Sequence, residues 1–104
     1  MMLNRILKLV RQYNEMSQTD LAEKLQISKS YLSEIESGKK VISLELVQRY
    51  SEIFDIPTYT LIFFSESMGK GNSIPEKFRE SFTGKVVNIM EWILEKNAAK
   101  KIQA

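Results

Sequence analysis

Apolar residues recur at three- and four-residue steps along most of the chain, and this spacing predicts α-helices. Strand patterns are nearly absent, because the apolar run at 61–64 directly follows a helix-start signal. The first helix is predicted over about residues 3–13, with one face formed by Leu3, Ile6, Leu7 and Val10. The periodicity therefore predicts an all-α chain.

Serine and threonine residues mark the starts of the next four helices, since their side-chain oxygens accept hydrogen bonds from the first backbone N–H groups. Gly38 suits a left-handed residue just past the third helix, and Pro57 stops the fourth. The predicted caps and helices are Ser17 with 18–25, Ser28 with 29–37, Ser43 with 44–54, and Thr58 with about 59–64. In the fourth helix, the residues expected to point inward are Leu44, Val47, Tyr50, Ser51 and Phe54.

The last forty residues form a separate unit in this interpretation. Residues 66–74 are rich in Ser, Gly and Asn and are predicted to be a linker. A capping-box pattern at 73–76 then opens an amphipathic helix from about Pro75 to Lys96 or beyond. The predicted divisions are a domain at 1–65, a linker at 66–74 and a C-terminal helix at 75–104.

The apolar face of this C-terminal helix is too large for an isolated helix in water. We expect it to mediate dimerisation through Phe78, Phe82, Val86, Ile89, Met90, Trp92 and Ile93. Packing back on the chain's own domain and docking of a different protein are the alternatives. Gly84 weakens the helix by about 1 kcal/mol and would allow a close helix contact.

The residue types that are missing exclude several kinds of chemistry. The 104 residues include no cysteine and no histidine, which removes disulfides, thiolate metal sites and the commonest general base. Neither an enzyme, a metal site nor a cofactor is expected. No segment reaches the ~20 apolar residues of a membrane span, and the charged N-terminal segment is unlike a signal peptide. The expected location is the cytoplasm.

The outer face of the third helix is polar and small, formed by Lys29, Ser30, Ser33, Glu34 and Ser37. Such a face suits a helix that enters the ~12 Å major groove of DNA. From the pattern alone, an ordinary solvated face is an equally good interpretation. The net charge does not distinguish these two interpretations, because residues 1–65 hold eight Lys or Arg and eight Asp or Glu, which cancel.

A longer motif resolves this ambiguity. The pattern reads Ser17-Gln18-x-x-Leu21-Ala22-x-x-Leu25-x-Ile27-Ser28-x-Ser30-Tyr31-Leu32-Ser33-x-Ile35-Glu36-x-Gly38. It resembles the helix-turn-helix of the phage Cro and C1 repressor family, the XRE-type regulators, and the resemblance covers about residues 5–64. It implies a five-helix, λ-repressor-like DNA-binding domain with the third helix in the major groove.

The resemblance also implies roles for individual residues. Bases would be contacted by Lys29, Ser30, Ser33 and Glu34, and phosphates by Ser17, Gln18, Tyr31, Ser37, Lys39 and Lys40. Gln18 would in addition brace the start of the recognition helix. Arg11 and Glu36 would form a structural ion pair between the first and third helices.

Two residues depart from the family pattern. Gln26 and Glu15 stand where glycine is common in the family. If Gln26 keeps a left-handed conformation, we expect a strain of roughly 1–2 kcal/mol; otherwise the turn differs slightly.

The sequence therefore predicts a DNA-binding transcriptional regulator, a repressor that acts as a homodimer on a double-stranded operator with two half-sites. The alternative is an antitoxin-type interaction protein, whose C-terminal helix binds a partner protein while its DNA binding serves autoregulation.

Overall fold

A computed structural model describes the backbone of residues 3–67 and 84–103 and the side chains of 3–66 and 84–96. Every regular element in these ranges is a helix, which confirms the all-α prediction. The helices are α1 (Leu3–Tyr13), α2 (Gln18–Leu25), α3 (Lys29–Glu36), α4 (Leu44–Phe54), α5 (Thr58–Ser67) and α6 (Gly84–Gln103). The first four lie at or within one residue of their predicted spans. Helix α5 instead begins at Thr58, which was predicted to be its cap, and continues three residues past Phe64.

Three of the predicted serine caps are present. Each hydroxyl oxygen accepts a hydrogen bond from the backbone N–H three residues later, at 3.0 Å for Ser17 and Ser28 and 3.2 Å for Ser43. Helices α2 and α3 have only eight residues each, too few to be stable alone in water. Their stability therefore depends on these caps and on tertiary packing.

Left-handed backbone conformations separate the short helices. Gly38 has φ +85°, as the sequence predicts. Glu15, Gln26 and Asp55 are also left-handed, with φ of 54°, 61° and 54°. Since Gln26 keeps the conformation that favours glycine, the turn between α2 and α3 carries a strain of roughly 1–2 kcal/mol. The conformation of Asp55 was not predicted.

Helix α1 lies at the centre of the packing and contacts α3, α5 and α6. In α4 the prediction that Leu44 points inward is wrong, because its side chain is 60% exposed. The buried stripe of α4 is formed by Leu46, Val47, Tyr50 and Phe54. Leu44 lies to the side of this stripe in the first turn, and Leu46 takes the inward place.

Helix α6 packs against the domain of its own chain. Val86, Ile89, Met90 and Ile93 are buried and belong to the same core cluster as the side chains of α1 to α5. The rings of Tyr13 and Trp92 meet edge to face, with centroids 5.4 Å apart. This arrangement is the packing-back alternative. It buries four of the described residues that were predicted to mediate dimerisation and partly buries the fifth, Trp92.

Other predictions for this region fall partly outside the described structure. Phe78, Phe82 and the predicted helix start at Pro75 lie outside the described residues. A Cβ atom added to Gly84 would meet no described atom within 4 Å, so none of the described residues makes a close contact there. Among the described helices, none combines the length and apolar character that crossing a membrane requires.

Candidate nucleic-acid interface

Helix α3 has a buried side and an exposed side. Leu32 and Ile35 are fully buried and Glu36 nearly so, a spacing that places them on one face. Lys29, Ser30 and Ser33 are exposed, and Glu34 is half-buried. The sequence-predicted base-contacting residues are therefore together on one helix, and three of the four face solvent.

An ion pair between α1 and α3 fixes the buried side. Arg11 Nε donates to Glu36 Oε2 at 2.7 Å, and Arg11 Nη2 donates to Glu36 Oε1 at 3.0 Å. The two side chains are only 10% and 2% exposed. Two parallel charge-assisted hydrogen bonds define an orientation as well as a distance. The pair therefore restricts how α3 can rotate against α1.

Two further side chains hold the last residue of α3. Gln18 Nε2 donates to Glu36 Oε1 at 2.9 Å, and Asn4 Nδ2 donates to the Glu36 backbone carbonyl at 3.2 Å. Residue Asn4 was missed by the sequence analysis. Its spacing of seven residues from Arg11, about two helical turns, is the signal that could have revealed it.

The position of Gln18 corrects one expectation. Gln18 contacts the end of α3 and not its start. The reason is geometric: α2 leads into α3 through a short turn, so the first residue of α2 lies a full helix length from the start of α3. An eight-residue helix is about 12 Å long.

The segment after α3 is tied back to that helix. The backbone carbonyl of Glu34 accepts hydrogen bonds from the N–H groups of Lys39 and Lys40, at 2.9 and 3.2 Å. The Ser37 hydroxyl also donates to it, at 3.1 Å. The positive φ of Gly38 permits this sharp return of the chain. Consequently the backbone of Lys39 and Lys40 is held beside the last turn of α3, and both residues are exposed.

The remaining predicted phosphate contacts lie on α3, at its C-terminal end or at the start of α2. Tyr31 is 36% exposed, and Ser17 is exposed while its oxygen caps α2. Tyr31 lines a groove of about 160 Å³ with Ile27, Ser43, Glu45, Leu46 and Arg49. Ser37 differs from the others, since its hydroxyl proton is engaged by Glu34 and would have to turn to reach a phosphate.

Tyr50 lies behind the ion pair. It is fully buried, and its hydroxyl has no hydrogen-bond partner among the described residues. Burial raises the pKa of this hydroxyl well above its usual range, and the Glu36 carboxylate raises it further while Arg11 partly offsets the effect. Tyr50 is therefore neutral at physiological pH and adds no third charge to the pair.

Comparison with known proteins identifies the module. A family model described as Helix-turn-helix matches residues 7–61, just over half of the 104-residue chain. Searches among curated proteins and among solved structures found no match. The match runs from the middle of α1 to the fourth residue of α5. This part carries the caps, the ion pair and the exposed side of α3. The family is one of DNA-binding regulatory domains and not an enzyme family. The chain therefore belongs to the Cro/C1-type helix-turn-helix family of DNA-binding transcription regulators, the XRE family.

Proposed function

We propose that the protein is a sequence-specific transcriptional repressor that places α3 in the major groove of its operator. The supporting observation is the two-sided character of α3: its buried side is fixed by Arg11 and Glu36, while its exposed side carries short polar side chains. A helix with side chains is 10–12 Å across, which matches the ~12 Å groove. Short side chains let the backbone approach the base edges.

Base recognition is assigned to Lys29, Ser30, Ser33 and Glu34. The first two begin α3, and the N-terminal residues of a recognition helix reach base edges in this docking geometry. Lys29 is suited to guanine O6 and N7, and the Glu34 carboxylate to cytosine N4. Glu34 is half-buried, so it has fewer orientations available than the lysine.

Affinity is assigned to phosphate contacts by Ser17, Gln18, Tyr31, Ser37, Lys39 and Lys40. Gln18 uses one amide hydrogen on Glu36, and its second N–H would serve a phosphate. The lysines supply local positive charge that the balanced total of the domain hides. Glu36 does not oppose them strongly, because Arg11 neutralises it.

Selection of bound sequences from a random double-stranded DNA pool tests the proposal. We expect one enriched motif, and Lys29→Ala should weaken binding to it by about 1–3 kcal/mol and relax the preference at one base pair. Lys24→Ala is the matched control, since Lys24 is also exposed but lies on α2. Recovery of no motif, or equal effects of the two variants, would contradict the proposal.

The dimer is part of the same proposal. Two half-sites would be centred about 34 Å apart or a multiple of that distance. Because Val86, Ile89, Met90 and Ile93 are buried within one chain, a dimer would use another surface or exchange α6 between copies. Sedimentation of the chain with and without a two-half-site duplex measures this directly, and a strictly monomeric complex would refute the dimer.

A further inference from the structure

An exposed valine stands next to the proposed interface. Val41 is 94% exposed, more than Tyr59 at 66% or Leu44 at 60%. Single exposed apolar side chains are common on protein surfaces and need no explanation by themselves. The position of Val41 is what distinguishes it, because it directly follows Lys39 and Lys40.

Both sides of Val41 are anchored. On one side, the N–H groups of Lys39 and Lys40 are bonded to the Glu34 carbonyl of α3. On the other side, Ile42 packs against the core and Ser43 caps α4. Val41 therefore projects from a segment whose place relative to α3 is set by hydrogen bonds and packing. A contact made by such a residue requires little ordering of the chain on binding.

The charge around Val41 indicates the kind of molecule that covers it. Two exposed lysines precede it and fit a polyanion. Consecutive Cα atoms are only 3.80 Å apart, so a duplex held by these lysines comes close to Val41. The valine side chain has no hydrogen-bonding group, and the apolar surfaces of DNA are the thymine C5-methyl groups in the major groove and the deoxyribose carbons.

We propose that Val41 is a further DNA-contacting residue that packs on the apolar surface of the duplex, against a thymine methyl group or a deoxyribose, beside the bases contacted by α3. This inference rests on the proposed function and extends it, because it adds a residue outside the recognition helix. A thymine contact would make Val41 a specificity determinant, and a sugar contact would make it a determinant of affinity.

The test compares the full chain with Val41→Ala and Val41→Thr on the operator obtained by selection. Burial of a nearly fully exposed side chain predicts that Val41→Ala weakens binding about three- to tenfold. Val41→Thr keeps the branched shape but replaces one methyl group by a hydroxyl, so we expect an intermediate loss. Tyr59→Ala is the control, because Tyr59 is exposed on α5, far along the chain from this segment.

Replacing operator thymines one at a time by uracil, which lacks the methyl group, separates the two DNA surfaces. If one replacement weakens the wild-type chain but not Val41→Ala, the contact is with that methyl group. If Val41→Ala is weaker on every duplex by the same factor, the contact is with deoxyribose. Equal operator affinity of Val41→Ala and the wild-type chain overturns this proposal alone. Failure of the wild-type chain to select any sequence overturns the proposed function and this proposal with it.

Discussion

Helices α3 and α6 both pack on α1, but different forces hold them. The end of α3 is bound by the Arg11–Glu36 ion pair and by the side-chain amides of Asn4 and Gln18. The described part of α6 is held mainly by apolar burial and by the Tyr13–Trp92 ring contact. Directional bonds fix an orientation, whereas apolar burial is non-directional. The helix whose angle matters for docking is held by a buried ion pair and two side-chain amides, whereas Lys85 Nζ of α6 donates to the Phe54 carbonyl at the longer distance of 3.3 Å.

The largest effect is expected from breaking the ion pair. Arg11→Ala leaves the Glu36 carboxylate buried without its cation and should lower the free energy of unfolding by about 3–5 kcal/mol. Urea denaturation measures this loss. Glu45→Ala is the control: its pair with Arg49 has side chains 78% and 42% exposed and should contribute less than about 1 kcal/mol. If the two variants lost similar amounts of unfolding free energy, the buried pair would contribute no more to stability than an exposed one.

A cavity between α6 and the rest of the core should lower stability about as much as the loss of the ion pair does. Unlike that loss, it should leave DNA binding unchanged. Ile89 is fully buried, and Ile89→Ala should lower the free energy of unfolding by about 2–5 kcal/mol. DNA affinity, measured at a temperature where the variant is folded, should be unchanged. Asn88→Ala on the exposed side of α6 controls for changes in the helix itself. A loss of DNA affinity in folded Ile89→Ala would show that α6, like α3, affects DNA binding.

Asn4→Ala tests whether one directional hydrogen bond to the end of α3 matters for DNA binding. Removing the amide that binds the Glu36 carbonyl should lower the free energy of unfolding by about 1 kcal/mol and also weaken operator binding, because the end of α3 loses a support. Asn14→Ala is closely matched, since Asn14 Nδ2 donates to the Val10 carbonyl at 2.8 Å without touching α3. If both variants bind the operator equally well, Asn4 has no role in positioning α3.

Substitution of the left-handed Gln26 in the turn before α3 by glycine should make the chain more stable. Gln26→Gly removes the left-handed strain at φ 61° and should raise the free energy of unfolding by about 0.5–1 kcal/mol, after the greater flexibility of glycine in the unfolded chain is taken into account. Glu23→Gly makes the same kind of change within helix α2 and should instead lower it by about 1 kcal/mol. Destabilisation by Gln26→Gly would show that the glutamine side chain contributes more than the strain removes.

The smallest effect at neutral pH is expected from Tyr50→Phe, because the hydroxyl that it removes is buried without a partner among the described residues. In the folded chain the pKa of Tyr50 is raised by burial and by Glu36, whereas in the unfolded chain it is about 10. As the pH rises above about 10, the tyrosine therefore loses its proton in the unfolded chain before it does so in the folded chain, which favours unfolding. The wild-type chain should therefore lose stability relative to Tyr50→Phe as the pH rises above about 10. Parallel stability curves for the two chains in that range would contradict the assignment.

Much of the helix layout was predictable because it depends on local signals. The serine caps, Gly38 and the periodic apolar residues act over three or four positions, so the sequence shows them directly. Leu44 was misjudged because its burial depends on the direction from which the core meets α4. Asn4 was missed because its partner, the Glu36 carbonyl, is a backbone group 32 residues away, and the seven-residue spacing from Arg11 indicates only that the two side chains share a face of α1.

By itself, the sequence determined the all-helical class, the starts of α1 to α4 and the resemblance to a DNA-binding family, since these follow from periodicity, capping and a multi-point motif. Only the tertiary structure decided that the described part of α6 packs on its own domain, because an apolar face does not specify which surface will bury it. The structure also decided that Gln18 supports the end of α3 and that Lys39 and Lys40 are tied to Glu34. Those contacts depend on the angles at which the helices cross, and these angles are set by the packing of the whole core.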